Sequence, residues 1–119
     1  MADVTILHNP RCSTSVSALD AAGAAGVPVD VVAYLKTPLD AEGVRSLLAK
    51  LEDAPTDLVR RDPNFKRLGL SDADVATADQ VVEVLAAHPE LMQRPVLIRG
   101  DRAIIGRPKS RVPAFLAGE

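Results

Sequence analysis

Val4-Thr5-Ile6-Leu7-His8-Asn9-Pro10-Arg11-Cys12-Ser13-Thr14-Ser15 carries the transition that decides the fold: a short β-branched apolar run, a turn at Asn9-Pro10, then hydroxyl residues that open a helix. The first N–H groups of a helix have no intrahelical partner and together carry about half a positive charge. Cys12, the only cysteine of the chain, falls at that point. A free thiol has a pKa of about 8.5, and helix N-termini and cationic neighbours lower it to between about 3.5 and 7.5. His8 and Arg11 are the candidate cationic neighbours, and the polar, turn-like flanks favour a reactive thiol over a small buried apolar residue.

Outward from this stretch, a helix from Ser13 places Val16, Leu19, Ala22, Gly23 and Gly26 at helical spacing, and Gly26-Val27-Pro28 stops it. Val29 to Ala33 is a second apolar run, so the first third predicts a right-handed β-α-β unit with parallel strands. Thr37-Pro38-Leu39-Asp40 opens a helix with Val44, Leu47, Leu48 and Leu51 as its apolar stripe. Pro55-Thr56 restarts a short helical segment. From Asp62 to Ala76 the chain is polar and predicts short helical turns with a mobile surface. Thr77-x-x-Gln80 is a capping-box pattern opening a helix with Val81, Val84, Leu85 and His88 on one face. Val96-Leu97-Ile98 and Ala103-Ile104-Ile105 flank Gly100-Asp101, a two-residue hairpin signal, and Arg107-Pro108 leads into a final helix through Val112, Phe115 and Leu116. The order predicts a small α/β fold with a mixed four-stranded sheet, flanking helices and a helical insertion between the second and third strands, about residues 38–90, within one domain spanning 1–119.

Composition narrows the function. With 119 residues, 47% apolar and 25% charged, the chain can build one core without staples. A single cysteine excludes a disulfide framework and multi-cysteine zinc sites, so a reducing compartment and no bound metal are expected. No charged leader precedes the first strand, and no run approaches the roughly 20 apolar residues of a membrane span. The expectation is a cytoplasmic protein, without membrane contact and monomeric. A net charge of −2 and 3% aromatics argue against nucleic-acid binding by bulk charge or base stacking.

The strand order, the thiol at the first strand-to-helix turn and an x-Pro before the third strand resemble the thioredoxin fold. His8-Asn9-Pro10-x-Cys12-x-x-Ser15, Arg60, Arg94-Pro95 and Arg107-Pro108 together resemble the glutaredoxin-linked arsenate reductase family, in register over essentially the whole chain. The resemblance implies that Cys12 is the nucleophile attacking arsenate and that Arg60, Arg94 and Arg107 hold the oxyanion. A small thiol such as glutathione and a glutaredoxin-type reductant then complete reduction to arsenite, with no bound cofactor. It also implies a cis peptide at Pro95. Characterised members usually carry an arginine four residues after the cysteine, where this chain has Val16, and glycine is common directly after it, where this chain has Ser13.

Physical chemistry supports those roles. Arsenate repels a thiolate, so attack needs cations and donors that cancel the repulsion, and the planar fork of arginine suits that task. His8 either lowers the thiol pKa as imidazolium or caps the turn. Ser15 either donates to a sulfur anion or oxyanion or serves ordinary helix-start chemistry; His88, before Pro89, is structural. Two other readings share features. A monothiol glutaredoxin-like oxidoreductase fits the Cys-x-x-Ser spacing but needs no converging arginines. An RNA polymerase-binding regulator of the same fold uses a Cys-x-x-Cys switch, and Ser15 occupies the second position. Phosphatase-type arsenate reductases need an arginine six residues after the cysteine, where this chain has Ala18.

Overall fold

The computed structural model describes residues 4–107 and 109–118; Pro108 of the Arg107-Pro108 step lies outside them. Strand β1 (Val4–Leu7) leads into helix α1 (Ser13–Ala25), and β2 (Val29–Val32) follows. The stop at Gly26 is as the chain predicts: its φ of 70° is the left-handed region that glycine enters without penalty. Between β2 and β3 lie α2 (Ala41–Lys50), α3 (Pro63–Arg67), α4 (Ala78–Ala87) and three short 3-10 turns. Strands β3 (Val96–Arg99) and β4 (Arg102–Ile105) form the hairpin at Gly100-Asp101, and α5 (Arg111–Leu116) closes the described chain. The sheet order is β2-β1-β3-β4, with β1 and β2 parallel and the other pairs antiparallel. This is the α/β fold with a mixed four-stranded sheet and flanking helices that the pattern predicts.

Strand alternation sorts the core into two faces. Ile6, Leu97 and Ile104 share one cluster with Ala18 and Ala22 of α1 and Val112, Phe115 and Leu116 of α5. Leu7, Val96 and Ile105 share the other with Val44, Leu47, Val81, Val82 and Leu85 of the insertion helices. Full burial of each such side chain contributes about 1.5–3 kcal/mol, so both clusters are needed to offset chain entropy.

Three local expectations are corrected. The buried face of α1 is Ser15, Ala18 and Ala22, whereas Val16 is 39% exposed; small residues let the helix lie close to the sheet. Strand β2 is a half-exposed edge, with Val31 49% exposed, because it pairs on one side only. The segment from Asp62 to Ala76 is not merely surface, since Phe65 and Val75 are buried in the insertion core. Carboxylate caps hold it: Asp62 Oδ1 accepts from the Phe65 N–H at 3.0 Å and Asp74 Oδ2 from the Ser71 N–H at 2.7 Å. The Thr77–Gln80 capping box forms as the pattern predicts.

Close approach at Gly106 links core to site. The Gly106 N–H donates to the Pro95 carbonyl at 2.8 Å, and a Cβ at position 106 would meet Pro95 Cγ at 2.8 Å and Leu97 Cδ1 at 2.9 Å. A proline ring yields little, so Gly106→Ala is expected to destabilise the protein by about 1–3 kcal/mol, the cost of overpacking. Urea denaturation of the two proteins side by side checks this; equal midpoints would show that the ring gives way.

Candidate active site

Sheet registers bring four residues into one row just past the strand ends. The pairs Leu7–Val32, Leu7–Val96 and Val96–Ile105 are in register. Counting outward, the next row is His8, Ala33, Pro95 and Gly106, fixed by the His8 N–H on the Val32 carbonyl at 2.9 Å and the Gly106 bond to Pro95. One residue farther out along the chain, beyond the paired strands, come Asn9, Tyr34, Arg94 and Arg107; Arg107 Nε donates to the Arg94 carbonyl at 2.8 Å. The Arg94-Pro95 peptide is cis.

Cys12 occupies the N-cap of α1, with extended backbone, and its carbonyl accepts the first helical bond from the Val16 N–H at 3.0 Å. The sulfur therefore sits where a capping oxygen normally faces the free N–H groups of the first turn. It is free and 7% exposed. Burial pushes the thiol pKa up, and this is the largest single influence. The Ser15 N–H, the Arg94 guanidinium, the Thr14 N–H and the Arg107 charge oppose it and together bring the pKa below the ordinary value. Arg107 Nη2 lies 3.2 Å from Sγ.

His8, Asn9 and Ser15 are buried polar side chains that flank Cys12. They bond one another: Ser15 Oγ accepts from the Asn9 N–H at 3.0 Å and shares a 2.6 Å hydrogen bond with His8 Nδ1. Asn9 Oδ1 accepts from the Arg11 N–H at 2.9 Å, and the Asn9 carbonyl from the Cys12 N–H at 3.0 Å. This network fixes the turn that aims the thiol. Burial lowers the pKa of His8, which holds the ring neutral at neutral pH. Of the two roles open to His8, the geometry favours shaping the turn over supplying charge.

The structure brings Arg94 and Arg107 to Cys12, whereas Arg60 Nη1 donates to Asp62 Oδ2 at 3.1 Å and is not among the groups acting on the thiol. The Arg107 loop is itself braced. Arg111 Nη1 donates to Asp53 Oδ1 at 2.7 Å and to the Arg107 carbonyl at 3.4 Å, while Asp53 Oδ2 accepts from the Ile105 N–H at 2.9 Å. Arg11 is exposed and is not among the groups acting on the thiol. Sequence reasoning missed Tyr34 and the Asp53–Arg111 brace. The signal for Tyr34 was available: it is the only tyrosine, two residues past β2.

Beside the loop, a cavity of about 300 Å³ is lined by His8, Asn9, Pro10, Arg11, Ala33, Leu35 and Lys36. No cluster of three or more His, Cys, Asp or Glu side chains able to hold a metal occurs among the described residues. No helix among them is long and apolar enough to cross a membrane.

The thiol position gives a direct test. The pH profile of Cys12 alkylation should have its midpoint below about 8.5, and Arg94→Ala and Arg107→Ala should each move it upward further than His8→Gln. Folding lowers this pKa, so the stability it confers is complete above the unfolded value and is lost as pH falls through the folded one. The stability gap between wild type and Cys12→Ser should accordingly widen as pH rises through that window, read from denaturation midpoints; a constant gap contradicts it.

Known proteins resemble this chain over nearly its whole length. An arsenate reductase of Neisseria meningitidis is 35% identical over 118 residues, covering 98% of this chain and all of that protein. An arsenate reductase of Escherichia coli K12 is 30% identical over 117 residues, covering 98% of this chain and 82% of its own. The solved structure of an arsenate reductase from Vibrio cholerae superposes with a TM-score of 0.83 at 30% identity, over 93% of this chain and 95% of that one. The ArsC family pattern matches residues 7–115, a span that runs from the end of β1 through Cys12, Arg94 and Arg107 into α5. A thiol at a helix N-terminus, with two guanidinium groups acting on it, is thus set in a chain that belongs to the ArsC family, whose members include arsenate reductases.

Proposed function

We propose that the protein reduces arsenate to arsenite, with the Cys12 thiolate as nucleophile. The observation that carries this reading is the convergence of Arg94 and Arg107 on a buried thiol at a helix N-terminus. Two guanidinium groups and the free N–H groups of the first α1 turn supply the charge cancellation that a thiolate needs to approach an oxyanion. Sγ attacks arsenic, an oxygen leaves as water after protonation, and a cysteine–arsenic(V) adduct results.

Reduction needs two electrons from two thiols: arsenate plus two thiols gives arsenite, one disulfide and water. Cys12 is the only cysteine, so the second sulfur comes from outside, first as a small thiol and then through a glutaredoxin-type reductant. The cavity beside the Cys12 loop supports this reading, because Arg11 and Lys36 in its lining are exposed cations suited to the carboxylates of a thiol such as glutathione. Arg60 assists the oxyanion only by leaving Asp62, which makes it the weakest of the three arginines. Val16, exposed in the first turn of α1, leaves one position where a further cation would strengthen the site.

Coupled turnover of arsenate with glutathione and a glutaredoxin tests the proposal. Cys12→Ser should abolish it, Arg94→Ala should lower kcat/KM about a hundredfold, as for loss of one oxyanion donor, and Arg60→Ala should lower it less. Val16→Arg should raise it. The pair Arg11→Glu and Lys36→Glu should raise KM for the thiol and leave KM for arsenate unchanged. Absence of arsenate-dependent oxidation above the Cys12→Ser background, with several donor thiols tried, overturns the activity.

A further inference from the structure

Tyr34 is wholly buried, two residues past the end of β2. Its phenol oxygen is enclosed and has no hydrogen-bond partner of sound geometry, and the same is true of Arg94 Nε. An unpaired buried polar atom is costly, and here two lie close together. Phenylalanine would fill the same space without that cost. The hydroxyl therefore does something other than stabilise the fold.

The neighbours say what. The Arg94 guanidinium, the Asn9 amide and, farther off, the Arg60 charge stand around the phenol. The phenol remains protonated, because burial outweighs these cations and pushes its pKa up. A guanidinium has donors and no acceptor, so the phenol oxygen is the neutral acceptor toward which Arg94 can turn. A carboxylate in its place would neutralise the charge that the thiol uses. A hydroxyl orients the guanidinium and leaves the charge intact.

We propose that Tyr34 is a positioning residue that aims the Arg94 guanidinium at Cys12 and at the oxyanion. The arsenate part of this role rests on the reading of the site as an arsenate reductase; the thiol part does not. Tyr34→Phe should keep the wild-type Tm or raise it. It should raise the Cys12 pKa, read by thiolate absorbance, toward that of Arg94→Ala, and raise KM for arsenate severalfold with a smaller change in kcat. In the Arg94→Ala or Arg94→Lys background, Tyr34→Phe should add no further pKa shift, because its only route to the sulfur is gone. An unchanged thiol pKa in Tyr34→Phe overturns the proposal, as does an equal shift in both Arg94 backgrounds. A fall in Tm with an unchanged thiol pKa makes the hydroxyl structural and also overturns it. If wild type turns over no arsenate, the activity fails while the pKa cycle still decides the role of Tyr34.

Discussion

Cys12, a thiol on a residue only 7% exposed whose pKa is nonetheless lowered, is the constraint around which this molecule is arranged. Burial alone would keep the thiol protonated. The opposing influences come from separate pieces of chain: two N–H groups from the α1 terminus, one guanidinium from before β3, and another from after β4. They meet because the sheet order places β1 beside β3 and β3 beside β4, so residues far apart in sequence come together. The Arg107 bond to the Arg94 carbonyl ties the two cation-bearing strand ends together, and the brace from Asp53 through Arg111 fixes the second of them to the helical insertion.

The rest of the polar interior serves the same end. His8, Asn9 and Ser15 spend their hydrogen bonds on one another and on the turn, which leaves the sulfur to the helix terminus and the arginines. Burying polar groups is tolerable when each finds a partner, and here the network satisfies the loop that it shapes. The exceptions are the Tyr34 hydroxyl and Nε of Arg94, whose guanidinium acts on the thiol.

Much of this was legible in the chain itself. β1, the Gly26 stop, the Gly100-Asp101 hairpin and the Thr77 box announce themselves through local chemistry, because each depends on residues within a few positions. Cys12, Arg94 and Arg107 could be picked out by their places at element ends. What could not be read depends on tertiary neighbours. Val16 and Ser15 exchange their expected places because α1 presents its small side to the sheet, and β2 loses half its burial because nothing pairs beyond it. Phe65 and Val75 enter the core only after carboxylate caps fold a polar segment around them. Arg60 is no less an arginine than the others, but Asp62 two residues away holds it. Tyr34 stands as a lone aromatic in an apolar run, and only the folded chain brings it beside Asn9 and Arg94.

The solitary thiol also determines how the protein records its own history. With no second cysteine, the chain has no internal disulfide in which to store an oxidised state, so every covalent step at Cys12 adds a foreign group to it. An arsenic adduct, a mixed disulfide and an oxygenated sulfur each add a different mass at one position. In the proposed cycle, the intact mass of the chain is therefore a direct readout of where each molecule has stopped.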